Sequence, residues 1–167
     1  MPSIHPIIYV RGYAMTQTEI EDTVADPYMG FNLGSCKVRQ LWDGRVRKYF
    51  FESPLMRLMK HYGYDDVYEE GLDQIESGDV AHPLGYRSIV IYRYYEPSSE
   101  DLGSGKKPDM RRFAKGLGDL ILALKARMFP KGGSAKPDAN RPASPDDFRV
   151  YLVAHSMGGL VCRAFLQ

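Results

Sequence analysis

One stretch near the C-terminal end restricts the fold more than any other: Phe148-Arg149-Val150-Tyr151-Leu152-Val153-Ala154-His155-Ser156-Met157-Gly158-Gly159-Leu160-Val161-Cys162-Arg163. Its first half is a short apolar run rich in β-branched and aromatic residues, the pattern of a parallel strand buried on both faces. Its second half turns helical, and between the two lies Ala154-His155-Ser156-Met157-Gly158. A serine in that position has two readings. It can cap the helix, its hydroxyl accepting a bond from a backbone N–H one turn in. Or it can ride a tight strand-to-helix bend of the Gly-x-Ser-x-Gly kind, in strained backbone geometry with its hydroxyl lifted above the sheet. The bend demands small residues two before and two after the serine so that strand and helix pass closely, and Ala154 and Gly158 meet that demand. A cap demands neither. The bend is therefore expected, with the start of the following helix aiming free backbone N–H groups at an oxyanion formed there.

In this strand-turn-helix context, Ala-His-Ser-Met-Gly-Gly-Leu-Val at 154–161 resembles the lipase and esterase branch of the α/β-hydrolases, which includes small bacterial lipases with alanine in the first motif position. The resemblance implies an α/β fold, a parallel sheet flanked by helices, with Ser156 as the catalytic nucleophile toward carboxylic esters through an acyl-enzyme intermediate. A second buried-strand candidate, Pro6-Ile7-Ile8-Tyr9-Val10, runs directly into Arg11-Gly12-Tyr13-Ala14. In the family the equivalent strand ends in His-Gly-x; the residue after that glycine and the residue after the nucleophile donate the two oxyanion N–H groups. The resemblance thus assigns Tyr13 and Met157 to the oxyanion hole, with Gly12 permitting the close approach. Arg11 stands where histidine is usual. It is read either as a cation favouring an acidic or phosphorylated substrate or as the structural partner of a carboxylate; the second is preferred, because arginine readily makes bidentate structural pairs.

The 167 residues suffice for one domain with a real core, and 44% hydrophobic with 26% charged residues is ordinary for a globular chain. A net charge of +1 gives no global attraction to nucleic acid or anionic membranes, and no nucleic-acid motif is present. No apolar run reaches the roughly 18–20 residues of a membrane-spanning helix, and the N-terminus lacks a basic n-region with a long apolar core. No transmembrane segment and a cytoplasmic location are therefore expected. Cys36 and Cys162 show no metal-ligand spacing, Cys162 reads as a small buried hydrophobe, and no metal or organic cofactor is implied.

Between the first strand and the next helix, residues 15–53 form a lid-like insertion. Lys37 to Trp42 and Arg45 to Phe50 flank Asp43-Gly44, a strong hairpin signal. Trp42, Tyr49 and Phe50 interleave with basic residues. They are read either as lid contacts to an acyl chain, leaving open a transient membrane-surface contact, or as a solvated hairpin covering the core edge. Ser53 to Gly63 carries helix punctuation, with Ser53 as N-cap, Pro54 at the first helical position and Gly63 past the end. Asp66 to Glu69 is a short-strand candidate and Asp73 to Ser77 a helical turn. Asp65, Asp66, Glu69 and Glu70 read as a solvated face rather than a metal site. Arg87 to Tyr95 is the next central strand by its β-branched and aromatic density. Asp109 to Met128 is a long amphipathic helix in which Gly116 and Gly118 signal close helix-sheet contact. Residues 130–147 read as a flexible linker.

Taken together, residues 1–167 are expected to be the N-terminal part of an α/β-hydrolase domain, truncated after the nucleophile helix. In the family the acid and the histidine follow the nucleophile, whereas this chain ends eleven residues past Ser156. The general base is thus expected beyond residue 167, the fragment alone is expected to be inactive, and the Phe148 to Ala154 strand is expected to have an uncovered edge. An ester or lipid-like small molecule is the implied substrate. A non-catalytic scaffold that binds lipid or protein, and an acyltransferase using the same machinery, remain open alternatives. Oligomeric state is left open.

Overall fold

The computed structural model of the chain describes residues 4–12, 16–18, 35–40, 46–51, 54–69, 72–73, 84–95, 98–100, 103–106, 109–130 and 139–167. Eight strands are described: β1 (Ile7–Val10), β2 (Ser35–Gln40), β3 (Val46–Phe51), β4 (Asp65–Asp66), β5 (Tyr68–Glu69), β6 (Leu72–Asp73), β7 (Ser88–Tyr92) and β8 (Tyr151–Ala154). Three α-helices accompany them: α1 (Pro54–Tyr62), α2 (Met110–Met128) and α3 (Met157–Leu166).

A four-stranded sheet in the order β4-β7-β1-β8 organises the core, and every pairing in it is parallel. β1 is central because all four of its side chains are apolar and can be buried on both faces; its exposures run from 0% to 3%. In register, Ile7, Ile8, Tyr9 and Val10 lie between Ile89, Val90, Ile91 and Tyr92 on one side and Tyr151, Leu152, Val153 and Ala154 on the other. Alternation along the strands then divides the core in two. Ile7, Tyr9, Ile89 and Ile91 pack with Tyr64 and with Leu58 and Met59 of α1. Ile8, Val10 and Val90 pack with Phe113, Leu117 and Leu124 of α2 and with Val161 and Cys162 of α3. Leu117 and Leu124 are fully buried, each contributing about 1.5–3 kcal/mol. The chain is of the α/β class, a small parallel sheet with helices on both faces.

The helix boundaries follow their local chemistry. Gly63, at φ 63°, closes α1 in left-handed backbone, its N–H donating to the Met59 carbonyl, while Arg87 Nη1 donates to the Tyr62 carbonyl at 3.0 Å. Asp109 caps α2 in extended backbone, its side chain accepting from the Arg112 N–H at 2.9 Å. The two glycines expected at a helix-sheet contact divide their roles: a Cβ at Gly116 would strike the Tyr92 hydroxyl on β7, whereas one at Gly118 would come 3.3 Å from the Phe165 ring of α3. Gly118 therefore serves helix-helix packing.

Several expectations are corrected. β8 is parallel and lies, as expected, at an edge of the sheet among the described residues, but its faces are not covered: Tyr151 and Ala154 are exposed and Leu152 and Val153 half-buried. An apolar run does not report whether its strand is central or marginal. The Asp66 to Glu69 strand divides, Asp65–Asp66 joining β7 at the opposite edge and Tyr68–Glu69 pairing with Leu72–Asp73 in a small hairpin; Asp73 thus ends a strand, and the rest of the helical turn expected over Asp73 to Ser77 lies outside the described residues. β2 and β3 form the expected antiparallel hairpin, but Gln40 pairs with Val46, one residue out of the register that a two-residue Asp43-Gly44 turn would set. Residues 41–45, Trp42 included, and the Ser53 cap lie outside the described residues. Of the 130–147 stretch, residues 139–147 carry a short 3-10 turn capped by Ser144, with Arg141 Nη1 donating to the Met128 carbonyl at 3.3 Å. No helix among the described residues is long and apolar enough to cross a membrane.

Candidate active site

In a parallel sheet, neighbouring strands whose following helices pack on opposite faces leave a crevice beyond their C-terminal ends. Across β1 and β8 the flanking helices lie on opposite faces: α1 packs on the Ile7/Tyr9 face, while α3, which directly follows β8, packs on the Ile8/Val10 face. Gly12 and Ser156 leave these two strands side by side.

The bend at Ser156 is built from the last rung of the ladder. His155 N–H donates to the Val10 carbonyl at 3.0 Å, and the chain then reverses, with Gly158 N–H donating to the His155 carbonyl at 3.0 Å and Gly159 N–H to the Ser156 carbonyl at 2.9 Å. Ser156 lies at φ 52° and ψ −123°, the one non-glycine with positive φ among the described residues. That combination lies outside the left-handed helical well, in territory that side chains avoid at a cost of about 1–3 kcal/mol. Although Ser156 precedes a helix, its side chain makes no capping bond, and the residue is exposed. It therefore does not cap. Met157, the first helical residue, carries one of the orphan backbone N–H donors that open any helix.

Gly158 explains the motif's small residue physically. A Cβ there would run into the Val10 and Arg11 carbonyl oxygens, backbone atoms that cannot rotate away, whereas a Cβ at Gly159 would meet nothing within 4 Å. Ala154 is the last residue of β8, paired with Val10. Gly12 stands against the bend: a Cβ on it would lie 2.5 Å from His155 Nδ1 and 3.3 Å from the Ser156 Cβ. Arg11 is 2% exposed, and its guanidinium acts to lower the pKa values of Tyr9 and Tyr94, against the larger upward push of burial on both. Tyr13 lies outside the described residues, and Tyr49 and Phe50 are described only as positions in β3.

Two residues that local pattern did not single out complete the arrangement. Tyr94, just past β7, donates its hydroxyl to the Arg11 carbonyl at 2.9 Å and lies 3.2 Å from the Gly12 carbonyl. Tyr95, stacked on it at 4.3 Å between ring centroids, places its hydroxyl 3.6 Å from the Met157 sulfur. The signal that could have found them is two adjacent hydroxyl-bearing aromatics at the C-terminal end of a central strand, where binding crevices open.

Of the remaining histidines, His82 lies outside the described residues, and the other two belong to other elements. His5 precedes β1 and packs edge-on to Tyr86 and Tyr151, and His61 lies in the last turn of α1. His5 is thus at the N-terminal ends of the strands, the opposite end of the sheet from Ser156. Cys162 is buried in the core beside Val161, and burial raises its thiol pKa. Among the described residues no group of three or more His, Cys, Asp or Glu could hold a metal ion. Comparisons with known proteins return no match: no family model, no curated protein and no solved structure matches the chain.

Proposed function

We propose that this chain carries the nucleophile and part of the oxyanion site of a serine hydrolase of the α/β-hydrolase type, acting on carboxylic esters of the lipase and esterase class. The observation that carries the reading is Ser156 itself: an exposed serine before a helix, at φ 52°, that gives up the cap its position offers. Strain of that kind persists only where the surroundings enforce it, and here a ladder bond at His155 and the close approach of α3 to the end of β1 that Gly158 permits do so.

In the proposed reaction the Ser156 Oγ attacks the ester carbonyl while its proton passes to a general base. The resulting oxyanion takes the Met157 N–H and a second donor from the segment after Gly12. Collapse of the tetrahedral species expels the alcohol, and water then releases the carboxylic acid. The base and its acid partner come from outside the described residues, since His5 is at the far end of the sheet and His155 is turned onto Gly12. The test is hydrolysis of p-nitrophenyl esters of graded chain length by the intact protein. Ser156→Ala is expected to lower kcat/KM by at least about three orders of magnitude; a variant retaining half of the wild-type activity overturns the reading.

A further inference from the structure

Gly12 poses a positioning problem that the bend at Ser156 does not solve. It has no side chain to anchor it and can accept none, because His155 and Ser156 occupy the space a Cβ would need. Its strand has also run out of ladder: the Val10 carbonyl receives the last rung from His155 N–H, and the carbonyls of Arg11 and Gly12 lie beyond it. Gly12 itself can therefore be held only by its backbone, beside the buried side chain of Arg11.

Resting on the hydrolase reading above, we propose that Tyr94 is the positioning residue of the oxyanion side of the site, its hydroxyl clamping the Arg11 and Gly12 carbonyls so that the segment cannot drift from the bend at Ser156. The ring is suited to this. It is 3% exposed and wedged among three others, with centroids 4.3 Å away at Tyr95, 4.8 Å at Phe113 and 5.4 Å at Tyr92. The two carbonyls it reaches belong to consecutive residues, at 2.9 Å and 3.2 Å, so one hydroxyl restrains both Arg11 and Gly12 where they pass the bend. The Arg11 carbonyl is held from two directions, by the Tyr94 hydroxyl and by α3, which Gly158 allows to press against it. Burial raises the tyrosine's pKa, so the hydroxyl stays a donor throughout the working pH range.

The experiment compares three variants of the intact protein, using p-nitrophenyl butyrate kinetics and thermal melting. Tyr94→Phe removes only the clamping hydroxyl. Tyr92→Phe is the control, since it removes a hydroxyl from the same strand that donates at 2.7 Å to the Phe113 carbonyl of α2, away from the bend. Ser156→Ala reports on the hydrolase reading itself. Tyr94→Phe is expected to lower kcat about tenfold or more with KM within about twofold, as loss of oxyanion alignment does, while Tyr92→Phe lowers only Tm. If Tyr94→Phe keeps kcat within about twofold, or if both tyrosine variants lose kcat equally, the positioning role is wrong although Ser156 dependence stands. If Ser156→Ala stays active, the hydrolase reading fails instead. Should Tyr94→Phe not fold, 3-fluorotyrosine at position 94 gives a second test by 19F NMR. Its resonance shifts when a fluorophosphonate modifies Ser156 if the clamp is coupled to the site, and an unmoved resonance overturns the proposal.

Discussion

Ser144 and Ser156 lie twelve residues apart, each directly before a helical turn, and they behave in opposite ways. Ser144 adopts extended backbone, φ −106° and ψ 137°, and its hydroxyl accepts from the Asp146 N–H at 3.2 Å. This is what a serine does when only local chemistry acts on it. Ser156 sits at φ 52° with no cap bond. The residue type is the same, so the difference lies in tertiary surroundings: a parallel ladder that runs up to His155, and a glycine two residues on that lets α3 press against the end of β1. One serine stabilises its turn. The other is held at a cost, and stored strain of this kind is found where a side chain must be presented rather than satisfied.

The contrast can be broken most forcefully at the glycine. Gly158→Ala drives a methyl group into the Val10 and Arg11 carbonyls and is expected to cost more than about 3 kcal/mol, at or beyond the upper range of ordinary overpacking, together with all activity. Its neighbour is the matched control: Gly159→Ala meets open space and is expected to raise stability by up to about 1 kcal/mol through helix propensity. Urea denaturation of the pair reads both, and equal effects would mean that the bend does not depend on this approach. Relief of strain should come next. Ser156→Gly is expected to abolish the proposed esterase activity yet to gain about 1 kcal/mol in unfolding free energy, whereas Ser144→Ala loses about 0.5–1 kcal/mol and leaves that activity unchanged.

Alkaline titration sharpens the comparison in a different way. Burial raises the pKa of Tyr94 beside the bend and of Tyr64 near His5 above the usual value of 10.0. Above pH 10 the unfolded chain releases these protons and the folded chain does not, so stability is full below about pH 10 and falls as pH rises. The slope is up to about 1.4 kcal/mol per pH unit for each such tyrosine. Tyr64→Phe and Tyr94→Phe should each flatten the decline, and pH-dependent urea midpoints measure it.

Much of the architecture was legible because it rests on pattern. β1 and β7 read as buried strands from unbroken β-branched and aromatic runs, and α2 from three- and four-residue apolar spacing, with Asp109 supplying the cap. The two-residue strands β4, β5 and β6 were not resolved as such, because pairs that short carry no periodicity and form only when a neighbour offers backbone partners. The β2–β3 register differed because Asp43-Gly44 argues for a two-residue turn while Gln40 pairs with Val46. At the site, Ala154, Ser156 and Gly158 announced a tight bend by size alone. Tyr94 could be placed at the C-terminal end of a central strand, but its partner could not be read, since its bond to Gly12 spans 82 positions of sequence and no local window contains both ends.

The central claim is that Ser156 is bent into the open to act as a nucleophile. Reaction of the intact protein with a fluorophosphonate, followed by peptide mass mapping, tests it most directly. The account predicts one phosphonyl group per chain, located on Ser156 and lost in Ser156→Ala, with Ser144 unmodified. Labelling that falls on another residue, or none at all in folded protein, would contradict it.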